Sequence, residues 1–112
     1  MKHIIVKDVK EFADLFLPSE RPELSKAVID VIEENIGNSN EVVKDIKVTI
    51  TDNNTDIVLS IIRTEFLSVL EEQLELFEEI EDYRECARIF KLISKIKSGS
   101  IVQSLVDAHN IT

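Results

Sequence analysis

The run Val69–Lys97, VLEEQLELFEEIEDYRECARIFKLISKIK, decides what kind of object this chain is. Phe66, Val69, Leu70, Leu74, Phe77 and Ile80 recur at the spacing of one helix face, and Cys86, Ile89, Phe90, Ile93 and Ile96 do so in a second helix. Glu81-Asp82-Tyr83 is a short corner between them, so the two helices fold back as a hairpin. The first arm is acidic and the second turns basic. Glu71 to Glu85 holds eight acids and one base, Arg84, whereas Arg88 to Lys97 holds four bases and no acid. Antiparallel arms place Glu71, Glu72 and Glu75 opposite Lys95 and Lys97. Such exposed pairs are worth only about 0–1 kcal/mol each, so they set register more than stability. A hairpin this small cannot bury both of its apolar faces alone.

Upstream, the patterns are shorter. His3 to Val6 is β-branched and reads as a leading strand. Asp8 is placed to cap a helix carrying Val9, Phe12, Leu15 and Phe16, which Pro18 should end. A second helix opens at Pro22 and shows Leu24, Ala27, Val28, Val31, Ile32 and Ile36 as one stripe, with Gly37 where a left-handed C-cap belongs. Glu41 to Lys44 reads as one further helical turn. Ile46, Val48 and Ile50 alternate with polar residues, and so do Ile57, Leu59 and Ile61 beyond the polar Asp52–Asp56 loop. That alternation favours a β-hairpin over 45–62, against a competing long helix running from Thr55 through Ile80. Thr64 is the expected N-cap of the first hairpin helix. Gly99 should break the second, leaving a short terminal helix over 100–108 with Ile101, Val102, Leu105 and Val106.

The expected architecture is therefore mainly α within an α+β class. One domain spans residues 1–112, with N-terminal helices over 8–36, a minor β-hairpin over 45–62, and an antiparallel helical hairpin over 64–97. The helix at 22–36 packs across that hairpin and supplies the core. At 112 residues the chain can bury a modest core. Its 44% apolar content is that of a folding chain, with no run long enough to span a membrane and no signal-peptide stretch before Lys7. A cytoplasmic location is expected. Sixteen isoleucines against four alanines is a bias of the kind AT-rich bacterial or phage genomes encode.

The net charge of −9 argues against direct nucleic-acid binding, which gains from a basic face. It fits a partner of basic surfaces, a mimic of nucleic acid, or a chain made soluble by its charge. Chemistry is hard to place. Asp52, Asn54 and Asp56 have the first ligand spacings of a calcium loop, but Ile57 and Arg63 stand where that loop needs glycine and glutamate, so they read as a turn. Cys86, the one cysteine, lies on a packed helix face with no local histidine, since His3 and His109 sit near the two ends. Two glycines cannot build a phosphate loop. No catalytic residue, metal ligand or cofactor is assigned, and no enzyme activity is expected.

The corner Glu81-Asp82-Tyr83-Arg84-Glu85-Cys86-Ala87-Arg88-Ile89 resembles the UVR motif, the helical hairpin of the excision-repair proteins UvrB and UvrC that also occurs in adaptor and regulatory proteins of bacterial proteolysis. Tyr83 matches the motif's aromatic, Cys86 and Ala87 its small pair, and Ile89, Ile93 and Ile96 its apolar face. The similarity covers about 30 residues of the C-terminal part. Phe90-Lys91 stands where the family shows Arg-Asp, replacing a charged pair with an aromatic that wants burial. The resemblance implies a non-catalytic hairpin that dimerises or docks on another hairpin.

The functional expectation is a protein-interaction or regulatory module that meets a protein partner or forms a homodimer. Its partner-binding residues are Glu71, Glu75, Glu78, Glu79, Tyr83, Ile89, Phe90 and Ile93. Homodimerisation through Phe66, Val69, Phe77, Ile89 and Ile93 is the economical version. The alternative is an acidic, phage-encoded inhibitor that mimics nucleic acid and blocks a host nucleic-acid-binding protein.

Overall fold

A computed structural model describes the backbone of residues 1–110 and the side chains of residues 1–99. In chain order the elements are β1 (Lys2–Val6), α1 (Val9–Asp14), α2 (Glu23–Asn35), β2 (Val42–Ile50), β3 (Thr55–Ile62), a 3-10 turn (Arg63–Glu65), α3 (Phe66–Glu79) and α4 (Tyr83–Asn110). The chain is a small mixed α/β domain: a three-stranded sheet with helices on one face.

The strand order is β1-β2-β3. β2 and β3 form the expected antiparallel hairpin, with Ile50 opposite Thr55 and Val48 opposite Ile57. The competing long helix from Thr55 is not formed. The Asp52–Asn54 loop turns the chain, with Asn54 in the left-handed region (φ 56°), a conformation asparagine tolerates. β1 adds a third strand parallel to β2, with Ile4 opposite Val48. That pairing has no local sequence signature, because α1 and α2 are the crossover that permits it. Val42 and Val43 extend β2 by pairing with Ile62 and Ile61, so the helical turn expected at Glu41–Lys44 is strand instead. A register irregularity between Val43 and Ile46 concealed the strand period there.

Ile4, Val6, Val43, Ile46, Val48, Ile50, Ile57, Leu59 and Ile61 face the helices, whereas His3, Ile5, Val58 and Ser60 face outward. One cluster joins that inner face to Leu15, to Leu24, Ala27, Ile29, Val31 and Ile32 of α2, to Phe66, Leu70 and Phe77 of α3, and to Ile89, Leu92 and Ile93 of α4. α2 lies on the sheet, in contact with β1 and β2, rather than across the helical hairpin alone.

Asp8 caps α1 by accepting from the Glu11 N–H at 2.9 Å. α1 nonetheless stops at Asp14, four residues before Pro18, as Leu15 turns into the core. Gly37 does not adopt a left-handed cap at the end of α2. Arg63 does the capping instead: its guanidinium donates to the Asn35 carbonyl, the Asn38 Oδ1 and the Asn40 carbonyl, each at 2.6 Å. Its N–H also donates to the Glu41 carbonyl at 2.8 Å, and the guanidinium stacks 4.9 Å from the Phe66 ring centroid. Thr64 is not an N-cap, because α3 is entered through the 3-10 turn with no side-chain cap. α4 continues through Gly99 to Asn110, where a break and a separate 100–108 helix were expected. Side chains at Ile101, Val102, Leu105, Val106 and His109 lie outside the described residues.

Candidate interaction surface

The helical hairpin is present, and its corner is well defined. Asp82 N–H donates to the Phe77 carbonyl at 3.0 Å and Glu81 N–H to the Glu78 carbonyl at 3.0 Å, the paired bonds of a Schellman C-cap on α3. Glu81 occupies the left-handed position (φ 58°) that glycine would fill more cheaply. Asp82 then caps α4, its Oδ1 accepting from the Glu85 N–H at 3.2 Å. Phe77, Leu70, Ile89, Leu92 and Ile93 fill the space between the helices and the sheet.

That packing removes part of the expected interface. Ile89 and Ile93 are core residues, and so are Phe66 and Phe77, while Val69 is half-buried. Phe66, Phe77, Ile89 and Ile93 cannot form a dimer face, because the fold already covers them, which leaves only Val69 partly accessible. Glu71, Glu75, Glu78, Glu79, Tyr83 and Phe90 are exposed. Tyr83 is 67% exposed and Phe90 62%, with Ile80 at the corner 37% exposed. The aromatic that was expected to seek burial at position 90 therefore stands in solvent. Tyr83, Ala87, Phe90 and Ser94 follow one another at helical spacing along the outer side of α4, bordered by Arg84, Lys91 and Lys95.

The acids of α3 do not neutralise the bases of α4. Among the described residues no ion pair joins the two helices, so the expected pairing of Glu71, Glu72 and Glu75 with Lys95 and Lys97 is not formed. Arg88 points to α2 instead and ties α4 to Asp30 and to Glu33, the latter at 3.2 Å, with Glu85 at 3.5 Å on its own helix. Burial alone would lower the guanidinium, but the hydrogen bonds and charges of Asp30 and Glu33 outweigh it and hold it above the ordinary arginine value. The hairpin therefore shows an acidic column on one helix and a basic, aromatic band on the other.

Among the described residues, groups with catalytic potential do not converge. Cys86 is half-buried against the core, and its thiol is pushed up, first by burial and then by the charges of Glu78 and Asp82, which disfavours the nucleophilic thiolate. His3 lies on the outer face of the sheet, in a row that sequence reading missed because three strands supply it. His3 Nε2 is 2.8 Å from Thr49 Oγ1, which donates to Asp56 Oδ1 at 2.7 Å. The hydroxyl proton is thus directed at the carboxylate and not at the imidazole, the reverse of what activates a nucleophile. Among the described residues no group of three His, Cys, Asp or Glu side chains is placed to hold a metal ion, and no helix is long and apolar enough to cross a membrane.

No protein-family model matches the sequence, and neither a curated protein nor a solved structure matches the chain.

Proposed function

We propose that this domain is a non-catalytic interaction module that docks a helical surface of a partner protein along the outer side of its α3–α4 hairpin. The observation that carries this reading is the exposed Tyr83–Phe90 stripe beside Arg84, Lys91 and Lys95, adjoining the uncompensated carboxylates of α3. Large aromatics left in water on a regular helix face are affordable to a domain that spends part of its life covered. The charge split makes the surface self-complementary, since the acidic column of one copy suits the basic band of another across a twofold axis. A homodimer is therefore the economical form, built on exposed residues rather than on the core positions. The likeness of the corner to a UVR hairpin is compatible with this reading and adds no partner to it.

The test compares wild type with Tyr83→Ser/Phe90→Ser and with Glu78→Lys/Glu79→Lys. Both variants should keep the wild-type thermal midpoint while losing self-association in sedimentation equilibrium, or losing the partner captured from native lysate. Unchanged sedimentation and unchanged capture in both would sink the assignment of this face. A second reading, mimicry of nucleic acid, is supported by the column Glu71, Glu75 and Glu78, which makes no ion pair among the described residues. Binding of that kind should collapse between low and high salt, whereas an aromatic docking face should lose little.

A further inference from the structure

β3 is an edge strand with few of the usual devices against pairing: Asp56, near its start, is its one charged residue. It runs for eight residues, Thr55–Ile62, with no proline, lysine or arginine, and the irregularity in the hairpin is on β2. The other edge, β1, is shorter and carries Lys2. The Arg63 N–H bonds inward to the Glu41 carbonyl, so by strand alternation Ile62, Ser60 and Val58 direct their backbone N–H and C=O groups to the free edge.

A groove of about 250 Å³ runs beside that edge. Four consecutive residues, Leu59 to Ile62, line it; a hollow on one face of the sheet would meet only alternate ones, so this one reaches the strand's edge. Leu15, Leu24, Val28 and Val69 give it an apolar wall. Its charged lining residues are Glu65 and Glu72, with no base among them. Gln73, also in the lining, has a buried Oε1 with no hydrogen-bond partner. A buried acceptor left unpaired is unfavourable, so this wall of the groove is incompletely paired in the free domain.

We infer that β3 and this groove receive an extended, basic segment of a partner protein by strand addition, a second surface separate from the outer side of the hairpin. The segment's backbone completes the ladder along Val58, Ser60 and Ile62. Its alternate apolar side chains enter the groove, and neighbouring lysine or arginine side chains reach the exposed Glu65 and Glu72. Charge disfavours a second copy here, because its own β3 carries an acid, Asp56, and no lysine or arginine to offer Glu65 and Glu72, in a chain of net charge −9.

The probe is a fluorescent, acetylated hexapeptide alternating lysine and valine, titrated into the full chain by anisotropy, with a glutamate–valine peptide as the control. The lysine peptide should saturate the protein and bind at least about tenfold tighter than the control at low salt. Ser60→Pro, which removes an edge N–H, and Ile62→Lys, which adds an edge charge, should each weaken it by about tenfold or more. N-methylation of the peptide amides that face β3 should do the same without touching the protein. Equal binding of the two peptides, failure to saturate, or indifference to peptide N-methylation overturns the proposal. So does a dimer that Ser60→Pro dissociates, since the occupant is then another copy. Tyr83→Ser/Phe90→Ser should leave the peptide affinity unchanged, which separates this surface from the hairpin face.

Discussion

Replacing Arg63 by alanine should unfold this domain far more readily than its half-exposed position suggests. The guanidinium holds three acceptors at 2.6 Å, the Asn35 carbonyl at the end of α2 and the Asn38 and Asn40 groups of the following loop. Hydrogen bonds to charged groups are worth about 1.5–3 kcal/mol when buried, and partial exposure reduces the three together to about 2–2.5 kcal/mol. The side chain's contact with the Phe66 ring adds about 0.5–1 kcal/mol. A loss of about 3 kcal/mol follows, some of it the Asn35 carbonyl left without its cap. At an unfolding entropy of about 2.1 cal/mol/K per residue, a 112-residue chain shifts about 4 °C per kcal/mol, so the midpoint should fall about 12 °C by calorimetry. Arg63→Lys keeps the charge but loses the fork, and should give up about half as much. Hydrogen exchange should rise first in the last turn of α2 and in residues 36–41. A fall of under about 3 °C in the alanine variant would refute the capping role, and a lysine variant equal to wild type would reduce it to a charge effect.

Glu81→Gly should stabilise the hairpin by about 0.5–1 kcal/mol by relieving the left-handed strain, while Glu81→Val should destabilise it; urea midpoints at equal slopes report both. Phe77→Ala should remove about 3–5 kcal/mol, because Phe77 is fully buried between α3, α4 and the sheet, and near-ultraviolet dichroism should register the loosened packing. Because the Cys86 thiol is raised by burial and by Glu78 and Asp82, its stabilising preference for the neutral form is fully present below the unfolded thiol value of about 8.5. It is lost as pH rises through the higher folded value, so alkaline unfolding should be shallower in Cys86→Ser than in wild type. Arg88→Met should cost about 1–2 kcal/mol by unfastening α4 from Asp30 and Glu33, with the difference from wild type shrinking in high salt.

The parts of the fold governed by local pattern were legible. The stripe from Leu24 to Ile32 gave α2, the alternation at Ile46–Ile50 and Ile57–Ile61 gave the β-hairpin, and the Asp8 cap started α1 where expected. What failed was non-local. Nothing near Lys2–Val6 announces a parallel partner 44 residues on, at Ile46–Ile50. Gly37 looked like the end of α2 because the residue that terminates it, Arg63, lies 28 positions from Asn35. The candidate site divided along the same line. Helical spacing shows both faces of the hairpin but not which face the sheet covers, and so it sets Ile89 and Ile93 beside Tyr83 and Phe90 as partner contacts. Arg88 reads in the sequence only as one of the second arm's four bases, and its partners on α2 are not visible there.

The places where this chain departs from local rules point in one direction. Glu81 sits in a glycine's conformation, Tyr83 and Phe90 stand in water, β3 is an edge with Asp56 as its one charge, and the buried Gln73 Oε1 is unpaired. None of these lies in the packing of α2 on β1 and β2, where propensity, pattern and burial agree. A domain selected only for folding would have no reason to keep polar and charged side chains off Tyr83 and Phe90, since aromatic area exposed on a helix gains nothing for the monomer and risks association. Replacing both by lysine should therefore leave the monomer as stable as wild type, or slightly more so, and raise its solubility. If the lysine variant instead loses more than about 2 kcal/mol, the aromatics support the monomer's own structure and the docking role of this face falls.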